Sequence, residues 1–512
     1  MNMQIGEVDM RASVIDLGSN SVKLVNFNIL HDNSYKPYHQ EGFRIKLAEG
    51  LTETGFLGEE PMERAIDALK LFRDIIKFES INYVLPIATS AVREAANKIE
   101  FLKKIYQETG FKFRILSGIE EALYSYVGAI RSLRIPSALF FDLGGGSLEI
   151  VYTEQFKIKK IMSLPLGALR LSQMYADKDN NFSNQNYEKM KFRISELLPD
   201  RQELNINEQT MLVGVGGTIR NLAKYNQMLT NYPFSKIHNY KMSYESIFNI
   251  SKKFQAIGTE KIAKIDSISN GRAETMIAGS CVVETIMEKL GFKKIIVSAQ
   301  GLREGTLSVS LENSKKFSLG KIIEQKRIED SVRFACEQDL LPTFLEDITI
   351  LLFSMGVINE RDRKIFAQSI RHLSKVSSFR NVGNVVHLIM DEDSSLTHRE
   401  QLISALSIIN SKKKKKSERL QEKYKSILKP QDKKTIKKMA ALLSFGDILH
   451  NIKPKMILHK KSKDEITLEL FINNETFPEK LFRDACKKLN ENFEVKISYF
   501  INKKKKSILG LK

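Results

Sequence analysis

The sequence predicts an α/β protein with a mainly helical C-terminal part. Over about the first 310 residues, short apolar runs that end in Gly or Ser alternate with longer amphipathic stretches, which is typical of strand-to-helix crossovers. An internal repeat divides this α/β part into two similar halves. From about Asn313 onward, helical periodicity replaces the strand-and-loop pattern. These three observations predict two related α/β domains followed by a helical one.

Five apolar runs predict buried strands that open into loops, and four amphipathic stretches between them predict helices. The strand-and-loop runs are residues 14–21, 84–90, 138–147, 211–217 and 294–301. The helical stretches lie near residues 62–77, 92–106, 120–132 and 272–290.

The repeat aligns Val14–Val25 with Phe140–Val151 at an offset of 126 residues. Asp, Leu, Gly and Ser match, and the flanking apolar pattern is kept. Each copy predicts a strand, a tight turn of small residues and a second strand. Two such hairpins that face one another would form a cleft with two opposed anion-binding turns.

The C-terminal part shows helical periodicity at residues 344–357 and 437–452, and late strands are predicted at 463–472 and 493–501. The polar stretch Glu312–Lys321 is the predicted domain boundary. We therefore expect domains at residues 1–126, 127–311 and 322–512.

Composition limits the class of protein. With 512 residues, 42% apolar and 28% charged, the chain is too long for one hydrophobic core and too apolar for wholesale disorder. Cys281, Cys336 and Cys486 lie far apart without zinc-site spacing, so we expect free, buried thiols in a reducing compartment. No apolar run approaches the roughly 18 residues of a membrane span, so we expect a cytoplasmic protein.

The positive charge is concentrated near the C-terminus. Of a net charge of +19, residues 401–512 carry +16, from 28 Lys/Arg and 12 Asp/Glu. Lysine runs at 412–416 and 503–506 indicate either a solvated loop and tail or a surface that guides a polyanion. Nucleic acid is the less favoured polyanion, because no aromatic residues interrupt the lysine runs.

Three turns of small residues are candidate phosphate sites, since their N–H groups can point at one anion without obstruction and glycine tolerates the positive φ that such turns require. They are Gly18-Ser19-Asn20-Ser21, Gly144-Gly145-Gly146-Ser147 and Gly214-Val215-Gly216-Gly217-Thr218. In the third, Thr218 is a candidate helix cap. Neither a P-loop nor a dinucleotide-binding string occurs.

Carboxylates at the strand ends suggest a Mg²⁺ site, because hard cations bridge protein carboxylates to phosphates. Asp16 and Asp142 occupy equivalent repeat positions, and Glu149 follows on the next strand. The alternative is that each Asp only binds its own turn. Glu120 and Glu121, at a helix start, either supply a general base or stabilise the helix dipole.

Arginines supply candidate groups for phosphate oxygens, because a guanidinium can bind two of them at once. Arg93, Arg272 and Arg303 are the candidates, although an isolated Arg is more often a surface residue.

Seven ordered motifs over about residues 11 to 310 resemble the exopolyphosphatase and guanosine pentaphosphate phosphohydrolase family of the actin-like ATPase superfamily. They are DLGSNSVKL at Asp16, ATSAVREAAN at Ala88, SGIEEA at Ser117, DLGGGSLEI at Asp142, SLPLGALRL at Ser163, VGVGGTIRNLA at Val213 and SAQGLREG at Ser298. The resemblance implies two actin-like, ribonuclease H-like domains flanking a cleft. A weaker likeness after His398 implies an HD-like C-terminal region; because Phe353–Gly356 stand where its metal pair would be, we expect no second active site there.

The resemblance also implies residue roles. Glu121 would deprotonate the attacking water, Asp142 would hold Mg²⁺, and Asp16 and Glu149 would assist at the metal. The phosphate chain would be held by Arg93, by Arg272 and by the three turns, residues 18–21, 144–147 and 216–218. Leu148 and Ile119 depart from the family pattern, and a homodimer is expected from the family.

The leading hypothesis is a Mg²⁺-dependent exopolyphosphatase that acts on inorganic polyphosphate without a covalent phosphoenzyme. The first alternative is a guanosine pentaphosphate 5′-phosphohydrolase that uses the same residues. Other classes are a non-catalytic polyphosphate- or alarmone-binding regulator and a sugar-kinase-like or chaperone-like ATPase.

Overall fold

The chain forms two compact units, Met1–Gln325 and Lys326–Lys512. The computed structural model describes residues 10–30, 34–269, 271–312, 340–377, 384–392, 394–452, 455–460, 465–472 and 478–503. The predicted boundary at 312–321 lies outside these residues except for Glu312 itself.

The first unit begins with a five-stranded mixed sheet of order β3-β2-β1-β4-β5. The first three strands are antiparallel neighbours, and β4 and β5 continue the sheet in parallel with β1. Its strands are β1 (Met10–Leu17), β2 (Ser21–Ile29), β3 (Tyr35–Arg44), β4 (Tyr83–Ala88) and β5 (Arg114–Ile115). We call this sheet and the helices within residues 51–109 the first lobe.

A six-stranded mixed sheet of order β10-β11-β9-β6-β7-β8 forms the second lobe together with the helices within residues 168–289. Strands β6, β7 and β8 repeat the antiparallel pattern of β1, β2 and β3, and β9 pairs in parallel with β6 as β4 does with β1. Its strands are β6 (Ala138–Leu143), β7 (Leu148–Glu154), β8 (Lys157–Leu164), β9 (Met211–Val215), β10 (Tyr240–Ser243) and β11 (Lys294–Val297). Both halves of the repeat therefore fold as antiparallel hairpins, as predicted.

Eleven helices accompany the sheets within the described part of this unit. They are α1 (Leu51–Thr54), α2 (Glu59–Phe78), α3 (Ser90–Glu94), α4 (Lys98–Thr109), α5 (Gly118–Leu133), α6 (Ala168–Tyr175), α7 (Asn184–Leu197), α8 (Gly217–Leu229), α9 (Tyr244–Ala263), α10 (Ala273–Lys289) and α11 (Leu302–Leu311).

The single helix predicted near residues 92–106 is wrong, because the structure has α3 and α4 with a break between them. Ala95 is extended, and the Asn97 side chain hydrogen bonds to both backbone groups of Leu57. This bond to a distant loop competes with continuation of the helix.

Helices α5 and α11 cross between the lobes. Ala12 and Val14 of β1 pack under Leu307 of α11, whereas α5 packs through Val127 against Phe140 of β6. The crossing is closest at glycines: a β-carbon at Gly128 would collide with the Gly301 carbonyl, and one at Gly305 would collide with the Tyr124 carbonyl. Since interiors are close-packed, only glycine fits here.

The described part of the second unit is a helical bundle joined to a small sheet. Helix α12 (Leu340–Ser354) covers residues 344–354 of the first segment predicted as helical, and α17 (Asp432–Ile452) covers all of the second. Strands β13 (Glu465–Ile472) and β14 (Lys496–Lys503) are the two late strands. The remaining elements are α13 (Glu360–Ser377), α14 (Val385–Met390), α15 (His398–Lys412), α16 (Lys414–Lys423), β12 (Lys455–Lys460) and α18 (Glu479–Phe493). Strand β12, which was not predicted, pairs with β13.

Cys281 and Cys486 are free and buried, and Cys336 lies outside the described residues. In the described part of the chain, no helix is both long and apolar enough to cross a membrane.

Candidate active site

The two hairpin turns have the same backbone geometry. Gly18 N–H donates to the Ser21 carbonyl at 3.1 Å, and Gly144 N–H donates to the Ser147 carbonyl at 3.0 Å. The two hairpins differ in the charges of the residues that face each other beside the turn. Asp16 pairs in register with the cation Lys23, whereas Asp142 pairs with a second acid, Glu149. The repeat therefore places two equivalent turns beside different ionic groups.

The turns lie against one another, and this contact explains why they contain glycine. A β-carbon at Gly145 would lie 3.2 Å from the Ser19 side chain, and one at Gly146 would collide with the Ser90 hydroxyl. The expectation of positive φ in these turns is wrong, because neither Gly18 nor Gly144–Gly146 has it. Small residues are required here by close packing between turns rather than by backbone conformation.

The third turn connects β9 to α8. Gly216 has φ of 106° and is the N-cap residue, so the expectation that Thr218 caps this helix is wrong. Thr218 is the second residue of α8 and is buried against Gly279. Gly217 lies beside the Arg272 guanidinium. A β-carbon at position 217 would lie 2.5 Å from Cζ of Arg272. The helix N-terminus thus faces Arg272 without an intervening side chain.

One cleft unites these turns with residues of both lobes. Fifteen of the seventeen predicted site residues line it: Asp16, Gly18, Ser19, Asn20, Ser21, Glu121, Asp142, Gly144, Gly145, Gly146, Ser147, Glu149, Gly216, Gly217 and Arg272. Arg93 and Thr218 do not line it. Arg303, the third arginine considered from the sequence, does.

Glu121 enters the cleft from the first turn of α5. Ser117 and Glu120 form a capping box at this helix start, which fixes Glu120 on the outside, where it also pairs with Arg114. The next residue, Glu121, is only 8% exposed and accepts a 2.9 Å hydrogen bond from Arg93 Nη1. Arg93 also donates to the Leu116 carbonyl at 2.8 Å. Arg93, which does not line the cleft, therefore fixes the orientation of the Glu121 carboxylate.

Burial raises the pKa of Glu121 to about 7, with a further contribution from the negative charges of Asp142 and Asp16, while Arg93 opposes the rise. A carboxylate with a pKa near neutrality is a better proton acceptor than one at its ordinary value. The environment of Glu121 is thus suited to general base catalysis.

Glu149 is also a buried acid, and Asp142 is half-buried. Ser125 donates a hydrogen bond to Asp142 Oδ2, and Ser163 donates one to Glu149 Oε1 at 2.8 Å. Burial raises the pKa of Asp142, and burial together with Glu121 and Asp142 raises that of Glu149 well above its usual value. Such mutual repulsion would be relieved by a bound cation.

Four cationic side chains line the same cleft: Lys23, Arg220, Arg272 and Arg303. Burial and the three arginines lower the pKa of Lys23 well below its ordinary value. Burial and the neighbouring arginines lower that of Arg220 to about 10. Cations held together against their own repulsion form a strong anion site.

Lys23 and Arg220 were not among the predicted site residues. The repeat contained a signal for Lys23, which aligns with Glu149 on the strand after the turn. Arg220 follows the third turn by two residues, but sequence alone does not show that its helix turns it toward the cleft.

Arg170 of α6 connects the second turn to the first lobe. Its Nε donates to the Gly146 carbonyl at 2.8 Å, and its Nη2 pairs with Glu94 of α3, the residue after Arg93. Glu94 in turn accepts a hydrogen bond from Ser90 at 2.8 Å. This chain of contacts holds a phosphate turn and the helix of Arg93 in one arrangement.

The model of the Ppx/GppA phosphatase family matches residues 30–314, more than half of the chain. The chain belongs to this family. Membership in the Ppx/GppA family agrees with the resemblance found in the motifs and supports a phosphatase activity on polyphosphate or a guanosine pentaphosphate.

Two curated Ppx/GppA-like relatives illustrate the match. The bifunctional 3-dehydroquinate synthase/phosphatase of Fusobacterium nucleatum is 31% identical over 319 residues, which are 59% of this chain and 47% of that protein. Exopolyphosphatase 2 of Mycobacterium tuberculosis is 26% identical over 314 residues, which are 58% of this chain and 97% of that one. The chain thus spans about half of the first relative and nearly all of the second.

Solved Ppx/GppA structures have the same fold. An exopolyphosphatase from Cytophaga hutchinsonii superposes with a TM-score of 0.56 at 26% identity and covers 60% of this chain and 99% of that one. The Aquifex aeolicus family member superposes with a TM-score of 0.50 at 29% identity, with the same coverage. The α/β fold with mixed sheets is therefore that of actin-like Ppx/GppA proteins.

Proposed function

We propose that this protein is an exopolyphosphatase, which releases terminal orthophosphate from inorganic polyphosphate by direct attack of water. The observation that carries the proposal is the cleft itself: a buried Glu121 with a raised pKa lies in one cavity with four cations and two opposed phosphate turns. A base for water and a strongly anion-binding wall are the two requirements of phosphoryl transfer to water.

In the proposed step, Glu121 accepts a proton from water while the water oxygen attacks the terminal phosphorus. The anhydride P–O bond breaks, and the polyphosphate, shortened by one unit, leaves with the bonding electrons. Arg93 fixes the orientation of the Glu121 carboxylate through the 2.9 Å hydrogen bond. Lys23, Arg220, Arg272 and Arg303, with N–H groups of the turns, stabilise the charge on the phosphate oxygens. No covalent phosphoenzyme is part of this proposal.

The donor chemistry of the cleft fits Mg²⁺. Asp16, Asp142 and Glu149 offer carboxylate oxygens in one cavity, and the acids with raised pKa gain from a nearby cation. Among the described residues, no group of three or more His, Cys, Asp or Glu side chains is positioned to hold a metal by itself. Mg²⁺ commonly takes one or two carboxylates and completes its shell with water and substrate phosphate. When bound, it would neutralise phosphate charge.

Guanosine pentaphosphate 5′-phosphohydrolysis is the second candidate. The same cations and Glu121 would act on the terminal phosphate of any oligophosphate, since the proposed roles of these groups involve only phosphate and water. Substrate preference therefore has to be measured.

The test is orthophosphate release with Mg²⁺ from long-chain polyphosphate and from guanosine pentaphosphate at matched concentrations. Wild type, Glu121→Gln and Glu120→Gln are compared; glutamine can keep the capping box at position 120, which makes that variant the matched control. We expect Glu121→Gln to lose about 100-fold or more in kcat, the range of general base catalysis, and Glu120→Gln to stay near wild type.

The outcomes separate the candidate functions. Faster Glu121-dependent release from polyphosphate supports the proposal, and faster release from the nucleotide moves the assignment to the second candidate. Release from neither substrate, with binding intact, would make the protein a regulator. Turnover of ATP that polyphosphate does not inhibit would indicate an ATPase.

A further inference from the structure

At the edge of the cleft, one acid of the second lobe pairs with two cations of the first. Arg44 is the last residue of β3 and Lys46 follows it, and both pair with Glu274 in the first turn of α10. We propose that Glu274 is a specificity-determining residue, whose carboxylate covers an outer phosphate subsite formed by Arg44 and Lys46 until a sufficiently long inorganic phosphate chain displaces it. The inference rests on the proposed function for the class of substrate.

The backbone fixes the two cations beside the first phosphate turn. The N–H groups of Ile45 and Lys46 donate to the Asn20 carbonyl at 3.0 and 3.1 Å. Asn20 belongs to that turn and lines the cleft. Lys46 has φ of 49°, in the left-handed region that is unfavourable for a lysine. Strained backbone of this kind is concentrated beside ligand sites, where the surrounding contacts hold it in place.

Arg44 extends the row of cations that lines the cleft. Its side chain lies over Gly271, where a β-carbon would be 2.7 Å from Arg44 Cδ, and Arg272 is the next residue along the chain. Burial lowers the pKa of Arg272, and the charge of Arg44 lowers it further. Because Arg272 lines the cleft and Arg44 does not, a phosphate chain that extends outward from Arg272 would meet Arg44 next.

The two cations share a single carboxylate. Lys46 Nζ lies 3.4 Å from Glu274 Oε2, and Arg44 Nη2 binds the same oxygen. Among the residues that the structure describes, neither cation pairs with another acid. About one third of each cationic side chain and one quarter of Glu274 are exposed, so solvent weakens the pairing. A phosphate chain, which presents several charged oxygens in a row, would compete with one carboxylate for both cations.

The backbone around Glu274 is held independently of its carboxylate. Ser172 Oγ of α6 donates to the Glu274 carbonyl at 3.0 Å, and Gln173 Nε2 of the same helix donates to the Ala48 carbonyl at 3.2 Å. Displacement of the carboxylate therefore requires a side-chain rotation and leaves these contacts in place. An acid in the first turn of α10 also interacts favourably with the helix dipole, but that role does not explain two cations from the other lobe.

The proposed exchange discriminates between substrates by length. A short substrate that occupies only the inner cations leaves Glu274 in place and makes no contact with Arg44 or Lys46. A longer substrate binds these two cations, but the release of Glu274 offsets part of the affinity that they add. Removal of the carboxylate should therefore strengthen the binding of long substrates and leave that of short ones unchanged.

The experiment uses the full chain and compares wild type, Glu274→Gln, Lys46→Gln and the double variant. Glu288→Gln is the matched control, because Glu288 lies on the same helix, pairs with Lys191 at 2.8 Å and does not line the cleft. Kd is measured with Mg²⁺ for pyrophosphate, tripolyphosphate, long-chain polyphosphate and guanosine pentaphosphate, and KM is measured for those that are hydrolysed. Thermal unfolding of each variant verifies that it is folded.

We expect Glu274→Gln to lower the Kd for long-chain polyphosphate about fivefold, the effect of one exposed ion pair. Lys46→Gln should raise this Kd, and the double variant should lose most of the improvement. The Kd for pyrophosphate should change less than about twofold in Glu274→Gln, as should every Kd of Glu288→Gln, because salt screens distant charges.

Weaker binding of long chains by a folded Glu274→Gln variant would overturn the proposal, since it would show that the acid only ties the lobes together. An equal improvement for pyrophosphate, or in Glu288→Gln, would also overturn it by revealing a general effect of charge. An improvement confined to guanosine pentaphosphate would overturn the choice of an inorganic chain. Because Kd is measured directly, absence of hydrolysis would refute the proposed function while the variants still decide the role of Glu274.

Discussion

Arg93 Nη1 lies 2.9 Å from Oε2 of Glu121, although the two residues belong to different helices 28 positions apart. The pair joins α3, which follows a strand of the first sheet, to α5, which covers the second sheet. Arg93 therefore acts on the proposed base from outside the cleft, where the sequence alone had suggested contact with phosphate.

The first prediction concerns the pH dependence of turnover. Arg93 favours the ionised form of Glu121, so Arg93→Gln should raise the pKa of this carboxyl group further. Because the base must be ionised, activity should fall at neutral pH and return at higher pH. We expect the acid limb of kcat/KM against pH to move upward by about one to two units.

Arg114→Gln is the control for this shift, since Arg114 pairs with the outward-facing Glu120 on the same helix. Its acid limb should coincide with that of the wild type. An unshifted limb in Arg93→Gln would show that the hydrogen bond does not tune the base.

The second prediction separates the two contacts of Arg170. Glu94→Gln removes the ion pair and leaves the bond to the Gly146 carbonyl, whereas Arg170→Gln removes both. A hydrogen bond from a charged donor contributes about 1.5 to 3 kcal/mol, so Arg170→Gln should raise KM by about tenfold or more and Glu94→Gln by much less. The measurement is steady-state kinetics on both variants and the double variant; equal effects of the two single changes would refute a role in holding the turn.

The third prediction tests the helix crossing. Gly128→Ala should lower the free energy of unfolding by about 1 to 3 kcal/mol, because its methyl group has no space beside Gly301. Ser132→Ala, one turn later on α5, adds no atoms and is the control. Urea unfolding followed by circular dichroism gives both values, and a neutral Gly128→Ala would show that the helices can separate without cost.

The fourth prediction concerns a buried charge in the second lobe. Glu284 is fully buried, and Lys191 Nζ lies 2.7 Å from its Oε1. Lys191→Met would leave the carboxylate without its cation and should cost about 3 kcal/mol of stability. Lys264→Met breaks an exposed pair with Glu260 and should cost much less stability, because solvent screens this pair. Thermal unfolding of the two variants provides the comparison.

The sequence predicted much of the fold and the site because the informative residues are local to strand ends. Five apolar runs became strands, and the Asp-Leu-Gly repeat became two hairpins with the same turn bond. Periodicity and turn composition are sufficient for such features.

What the sequence did not predict depends on contacts between distant segments. The break before α4 requires the loop at Leu57, and the burial of Thr218 requires Gly279 of α10. In the sequence, Arg170 is an ordinary polar residue of an amphipathic helix. Its contacts with Gly146 and Glu94 are evident only from the structure. Side-chain direction across a tertiary contact has no local signature.

The equivalent position of the two hairpins is Lys23 in the first and Glu149 in the second. The two sides of the cleft therefore differ in charge at this position. A duplicated pair of hairpins with identical charges would present the same environment from either side. Here one side offers a cation and the other an acid at the equivalent position. A polyphosphate bound as proposed would therefore meet a cation beside the first hairpin turn and an acid beside the second. The two copies of one repeated motif thus contribute opposite charges to the same cleft.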